Sequence, residues 1–176
     1  YVNNSSVSLT DVDVAGGMLG MGFAGSSSLN LSRALVSYNA GSGIDLIGPD
    51  LSASLSDISV NHAQLFPFVL KFADVDVERL HIQSSRTLAI SAYASDFDVT
   101  DLTINDVTPL RNQNFDNLRN YYEDVLVDDL EGLAGYFGQA LLALGGSSVS
   151  VTRANITEVT EVGIWAKDEG TTVSVS

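Results

Sequence analysis

The sequence predicts an all-β fold, a right-handed parallel β-helix of about six coils with about 22 residues each. One apolar pattern recurs six times, and its starting positions lie 22, 24, 22, 22 and 52 residues apart. A repeat in the low twenties is typical of a solenoid in which every coil adds one layer to a shared core. An antiparallel sandwich also uses short, evenly spaced strands, but it gives no reason for one pattern to recur so faithfully.

Each repeat places apolar residues at positions x, x+2, x+5 and x+7. Alternate residues of a strand face the same side, so each set predicts two short inward-facing strands separated by a corner. The sets are Val7/Leu9/Val12/Val14, Leu29/Leu31/Ala34/Val36, Ala53/Leu55/Ile58/Val60, Val75/Val77/Leu80/Ile82, Phe97/Val99/Leu102/Ile104 and Val149/Val151/Ala154/Ile156, with a seventh begun at Val173/Val175.

A further inward-facing pair follows within each coil and predicts a third strand. Three strands per coil, running the same way in every coil, predict three parallel sheets around one core. Turn residues such as Gly16-Gly17 and Gly48-Pro49 lie between the predicted strands, where the chain must change direction. The third pairs are predicted at Leu19/Met21, Ile44/Leu46, Phe68/Leu70, Leu88/Ile90, Ala140/Leu142 and Ile164/Ala166.

The 52-residue interval holds one ordinary coil and an insertion, which we place at residues 112–138. Apolar residues there, from Phe115 to Leu141, follow a spacing of about 3.6 and predict an amphipathic α-helix. Its apolar face is expected to pack on the coils, with partner binding as the alternative. We interpret residues 1–176 as a single β-helix domain and expect it to be part of a longer solenoid.

Composition restricts the class of function. The chain has 22 acidic and 8 basic residues, a net charge of −14 and no cysteine. Nucleic-acid binding and docking on anionic membranes need clustered Lys and Arg, so both are disfavoured. The lack of cysteine excludes a disulfide framework and a cysteine nucleophile. We expect an exported, extracellular or cell-surface protein, of the kind found in bacteria.

A parallel β-helix with coils of this length resembles the pectin-lyase-like superfamily, whose members include polysaccharide lyases, glycoside hydrolases, phage tailspikes, adhesins and autotransporter passengers. The resemblance implies a fold and leaves the function open. Of the polygalacturonase-type motifs, only the pair Asp128-Asp129 is present, and it lies in the predicted helix. No catalytic residue is therefore assigned from the resemblance.

The residue at x+4, the corner after the first strand, alternates in charge along the coils. Stacked coils lie about 4.8 Å apart, so each arginine is expected between two aspartates. We interpret this column as a structural ion-pair ladder that keeps the coils in register. The alternative is that Arg79 binds a carboxylate of a substrate. The ladder consists of Asp11, Arg33, Asp57, Arg79, Asp101 and Arg153.

Four aspartates form a second cluster of candidate functional residues. Asp74, Asp76, Asp96 and Asp98 are predicted on the outer face of the first sheet, where the other coils carry Ser or Asn. Carboxylate oxygens at close spacing suit Ca²⁺, so the cluster is a candidate calcium site. Solvated surface charge is the plainer interpretation, and paired acids of a glycoside hydrolase are the third. Neither His62 nor His81 has a partner at a recognisable catalytic or metal-binding spacing.

From these features we expect a non-catalytic extracellular module, either a rigid stalk or an adhesin-like segment, that binds glycans or calcium. The first alternative is a polysaccharide lyase or glycoside hydrolase acting on the acidic face of the first sheet. The second is a structural subunit that assembles head to tail through its open coil ends.

Overall fold

Twelve parallel strands form a β-solenoid in the computed structural model, which describes residues 2–109 and 138–176. The prediction of an all-β solenoid is confirmed, with about six stacked coils of about 23 residues. The strands are β1 (Val2–Asn3), β2 (Ser6–Ala15), β3 (Leu19–Ala24), β4 (Ser28–Ser37), β5 (Ser42–Asn61), β6 (Phe68–Ser85), β7 (Leu88–Tyr93), β8 (Asp96–Val107), β9 (Gln139–Leu144), β10 (Ser148–Val159), β11 (Ile164–Ala166) and β12 (Thr172–Val175). No helix within these ranges is long and apolar enough to cross a membrane.

The strands stack in three rows that wrap one apolar core. The x and x+5 positions of the repeat fall on the first and second rows, which run through β2, β4, β5, β6, β8 and β10, with β12 extending the first row. The third row has the order β1-β3-β5-β6-β7-β9-β11. The predicted inward residues of the first two rows pair in register from coil to coil, as in Leu29↔Ala53 and Ala53↔Val75.

The third row departs from the predicted pairs at three strands. Met21, Ile44, Phe68, Ile90, Leu141 and Ile164 follow one another in register and belong to or pack against the main core. The inward pairs of β3, β7 and β9 are therefore Met21/Phe23, Ile90/Ala92 and Leu141/Ala143. The predicted pairs Leu19/Met21, Leu88/Ile90 and Ala140/Leu142 are wrong. Leu88 and Leu142 instead join a second apolar cluster on the outer side of this row.

The long insertion does not interrupt the stacking of the coils around it. β8 pairs directly with β10, where Asp96 lies opposite Ser148, although 52 residues separate them in sequence. β7 pairs with β9 in the same way. The predicted helix at 112–138 lies, except for its last residue, outside the described residues.

Two corners of every coil are built from residues in the left-handed backbone region. The first corner, at x+4, has φ between 53° and 64° at Asp11, Arg33, Asp57, Arg79, Asp101 and Arg153. The second corner, at x+9, has φ of 80° at its glycine and between 55° and 62° elsewhere; it consists of Gly16, Tyr38, His62, Ser84, Asp106 and Glu158. Positive φ is uncommon for residues other than glycine, so a whole column of such residues shows that the coil geometry imposes it.

The first-corner charges form three pairs. Arg33 donates to Asp11, Arg79 to Asp57 and Arg153 to Asp101, each through Nε and Nη2, with Nη2–Oδ2 distances of 2.8, 3.0 and 2.8 Å. These hydrogen bonds lower the pKa of each aspartate. Each arginine thus binds the aspartate of the preceding coil, and the two-pronged contact fixes the offset between those two coils.

Replacing Arg79 with glutamate should lower the midpoint of thermal unfolding by roughly 2–4 °C. The variant loses the contacts of Arg79 with Asp57 and Glu78 and places a negative charge between Asp57 and Asp101. Glu158 shows that a corner backbone accepts glutamate. The control is Lys167→Glu, which makes the same change from positive to negative charge at an exposed residue. Lys167 forms no ion pair within the described ranges. Equal midpoints for the two variants would contradict a stabilising role of the ladder.

The outer face of the third row is buried and largely apolar. The cluster there consists of Leu65, Phe66, Val69, Leu88, Leu142 and Leu144. Asp45 lies in the same row, paired with Gly22 on one side and Val69 on the other, and is only 6% exposed. Its Oδ1 atom has no hydrogen-bond partner, and burial raises its pKa to about 7. The buried environment of Asp45 therefore favours the neutral form of its carboxyl group.

Candidate functional site

The second corner brings exposed and half-exposed aromatic and polar side chains together along the solenoid. Tyr38 and His62 directly follow the second-row segments of β4 and β5, while Ser84 and Asp106 lie at the same position in β6 and β8. The preceding residues, from Ser37 to Asn105, pair in register from coil to coil. At about 4.8 Å per coil, the four corner residues span about 14 Å.

Backbone hydrogen bonds hold this column in place. The Tyr38 N–H donates to Asn61 O at 3.0 Å, and the His62 N–H donates to Gln83 O at 2.8 Å. The backbone is thus held by the neighbouring coil, while the side chains project from it. A site with a rigid backbone loses little conformational entropy when it binds a ligand.

An aromatic stack occupies the first half of the column. The rings of Tyr38 and His62 lie nearly parallel, with centroids 4.9 Å apart and planes inclined by 18°. Tyr38 is nevertheless 68% exposed. The reason lies in the preceding coil, where the corner residue is Gly16, and a Cβ added there would meet nothing within 4 Å. One face of the Tyr38 ring therefore stacks on His62, and the other faces the open space beside Gly16.

Polar groups occupy the second half of the column. Ser84 Oγ donates to Asp106 Oδ2 at 2.9 Å. Two residues beyond the corner, Gln64, Arg86 and Thr108 add an amide, a guanidinium and a hydroxyl. Together with Tyr38, His62 and Ser85 these residues line a groove of about 380 Å³. We call it the second-corner groove; its volume lies in the range of small-ligand sites.

Several of these polar groups have no partner within the described ranges. Arg86 forms no ion pair there, whereas Arg33, Arg79 and Arg153 each bind an aspartate. The Gln64 amide and the His62 ring likewise make no hydrogen bond with the described residues. The groove thus places an exposed aromatic ring beside donors and acceptors that no other described residue engages.

The groove does not have the arrangement of a hydrolytic triad. In a triad, histidine lies between serine and the acid, accepts the serine proton and is oriented by the acid. Here Ser84 lies between His62 and Asp106 in coil order, and its hydroxyl is donated to the carboxylate. This geometry holds Ser84 as a hydrogen-bonding group and does not activate it as a nucleophile.

The four aspartates of the first row lie side by side on its outer face. Asp74 is paired with Asp96 and Asp76 with Asp98, and all four are exposed. Across residues 2–109 and 138–176, no group of three or more His, Cys, Asp or Glu side chains is arranged to hold a metal ion. The calcium site predicted at these aspartates therefore receives no support from the geometry.

A second exposed aromatic group lies outside the groove, at Phe72 in β6. Phe72 is 42% exposed and packs edge-on against Tyr93, with ring centroids 5.6 Å apart. Lys71 Nζ lies 5.6 Å from the Phe72 centroid and 5.8 Å from that of Tyr93. The faces of these rings are engaged with one another and with the ammonium, so Phe72 provides a useful comparison for Tyr38.

Sequence reasoning did not identify the groove, because the apolar pattern describes only inward residues. In the sequence His62 has no partner at a recognisable catalytic or metal-binding spacing, so it is assigned no role. The signal that could have found it is the x+9 column, where Gly16, Tyr38, His62, Ser84 and Asp106 recur at the period of the apolar sets. Comparison with protein-family models, curated proteins and solved structures finds no match to this chain.

Proposed function

We propose that this β-solenoid is a non-catalytic, extracellular glycan-binding module that holds a linear oligosaccharide along the second-corner groove. The observation that carries the proposal is the stacked Tyr38–His62 pair, which leaves Tyr38 68% exposed beside polar groups that have no partner among residues 2–109 and 138–176. Sugar rings have an apolar C–H face and a polar rim. An aromatic ring can stack against the C–H face, while the amide, hydroxyl and charged groups beside it can form hydrogen bonds with the polar rim.

The direction of the groove also supports a polymeric ligand. The groove crosses successive coils, so it offers a side chain from a new coil about every 4.8 Å along its length. A linear polymer can use several of these side chains at once, and the affinity of each contact can then be small. The acidic composition, the lack of cysteine and the repetitive coils support an exported stalk or adhesin-like role. We also propose that the protein is a member of the pectin-lyase-like superfamily, which its parallel coils of about 23 residues support.

Tyr38→Ala should reduce binding of the protein to glycans at least tenfold. The substitution removes the open ring face and leaves His62 without its stacking partner. The measurement is a screen of the wild-type protein on a glycan array, followed by calorimetric titration of both proteins with a soluble oligosaccharide that the array selects.

Phe72→Ala is the matched control, because it removes an exposed aromatic ring at a corner outside the groove. It should leave glycan affinity within twofold of the wild-type value. The proposal is wrong if no glycan on the array binds the wild-type protein, or if Tyr38→Ala binds as tightly as Phe72→Ala.

A further inference from the structure

The second-corner groove changes in polarity from one end to the other. Its later coils contribute Ser84, Asp106, Arg86 and Thr108, which are all polar or charged. The opposite end of the groove is at Tyr38, and the corner column continues beyond it to Gly16 of the preceding coil. The positions two residues beyond them, equivalent to Gln64 and Arg86, are Met18 and Ala40. The row beside the corner therefore begins with apolar residues and becomes polar along the groove.

Met18 is exposed to an extent that needs an explanation. Its side chain is 53% exposed, one of the few large apolar residues on the described surface. The backbone around it is fixed to the second coil, since the Gly41 N–H donates to Met18 O at 3.0 Å and the Ala40 N–H donates to Gly17 O at 2.8 Å. A flexible thioether at a fixed position on the surface is well suited to contact a small apolar group of a ligand.

We infer that Gly16, Met18 and the open face of Tyr38 form an apolar subsite at the first-coil end of the groove, and that it takes a sugar bearing a methyl group. The inference rests on the proposed glycan-binding function. The sugar ring stacks on Tyr38 in the space left by Gly16, and its methyl group contacts Met18. An acetyl substituent and the methyl of a 6-deoxy sugar supply the same chemistry.

The gap at Gly16 decides whether the subsite exists. Any side chain at this corner position projects toward the Tyr38 face, as the neighbouring His62 ring does from the other side. Asn tolerates positive φ, and the same corner holds Tyr, His, Ser, Asp and Glu in other coils. Gly16→Asn is therefore expected to fold and to fill the subsite.

The test compares Gly16→Asn with Gly17→Asn on a glycan array that carries matched pairs of glycans. The pairs end in N-acetylglucosamine or glucose, and in L-rhamnose or L-mannose. Gly17 also has positive φ, and a Cβ there meets only the Leu19 carbonyl oxygen at 3.6 Å. The wild-type protein and Gly17→Asn should bind one methyl-bearing member at least fivefold more tightly than its partner. The first pair identifies an acetyl group and the second a 6-deoxy methyl.

Gly16→Asn should show no preference for the methyl-bearing glycan and should bind it at least tenfold more weakly than the wild-type protein does. Its midpoint of thermal unfolding should stay within about 3 °C of that of Gly17→Asn. Met18→Gln, which keeps the length of the side chain, should reduce the preference without abolishing binding. If Gly16→Asn keeps the wild-type preference while Tyr38→Ala loses glycan binding, the proposed methyl subsite is wrong, but the proposal that the groove binds glycans is retained. If Tyr38→Ala also binds normally, the proposed function itself is wrong.

Discussion

Replacing Asp45 with asparagine should stabilise the protein at pH 8 by at most about 4 kcal/mol and change its stability little at pH 4. Burial raises the pKa of Asp45 from 3.8 to about 7, with a smaller opposing contribution from its hydrogen bond to Ser42. Because the folded pKa is raised, the neutral carboxyl stabilises the fold below pH 4, and this contribution is lost as pH rises toward 7. Each pH unit between the two values is equivalent to about 1.4 kcal/mol.

The measurement is chemical unfolding of both proteins at pH 4, 6 and 8, with the free energy of unfolding compared at each pH. The difference between the two proteins should grow with pH, because asparagine fills the same space without a charge to bury. Asp13→Asn removes an exposed carboxylate and should shift the free energy of unfolding by no more than about 0.5 kcal/mol. A constant difference across the three pH values would show that the pKa of Asp45 is the same in the folded and the unfolded protein.

The second large effect is expected in the core. Phe68→Ala should lower the free energy of unfolding by about 3–5 kcal/mol and the thermal midpoint by roughly 6–20 °C. Phe68 is fully buried in the third row, between Ile44 and Ile90, and its ring lies 6.0 Å from that of Phe97. Alanine leaves a cavity that the strand backbones cannot close, since they are paired on both sides.

Phe72→Ala is again the matched comparison, because it also removes a phenyl ring, four residues along the chain from Phe68, at an exposed position. It should cost less than about 1.5 kcal/mol, since the ring contributes only contacts at the surface. Thermal unfolding followed by circular dichroism measures both variants. Similar losses for the two phenylalanines would mean that the third row does not face a common core.

The first and second rows could be predicted from the sequence because each has one buried and one exposed face. Their strands alternate cleanly, as in Ser28–Val36, and the alternation fixes both the direction and the register of the side chains. The third row could not be assigned in this way. Strand β9, Gln139–Leu144, is buried on both faces, so its sequence after Gln139 is apolar throughout and shows no alternation.

The candidate site was predictable only in part, for a related reason. The alternating charges at x+4 are visible in the sequence, but their grouping into pairs such as Arg33 with Asp11 depends on side-chain geometry. The second-corner groove depends on residues that share nothing chemically: glycine, tyrosine, histidine, serine and aspartate. What unites them is a left-handed backbone and stacking along the solenoid, which composition and hydropathy do not report.

The location of bound glycan tests the central claim most directly. Amide chemical shifts of ¹⁵N-labelled protein should be recorded while the oligosaccharide selected by the array is added. The proposal predicts that the largest changes occur at Tyr38, His62 and Arg86 and at Gly16 beside them. Changes confined to the acidic face around Asp74 and Asp98, or no changes at saturating oligosaccharide, would contradict it.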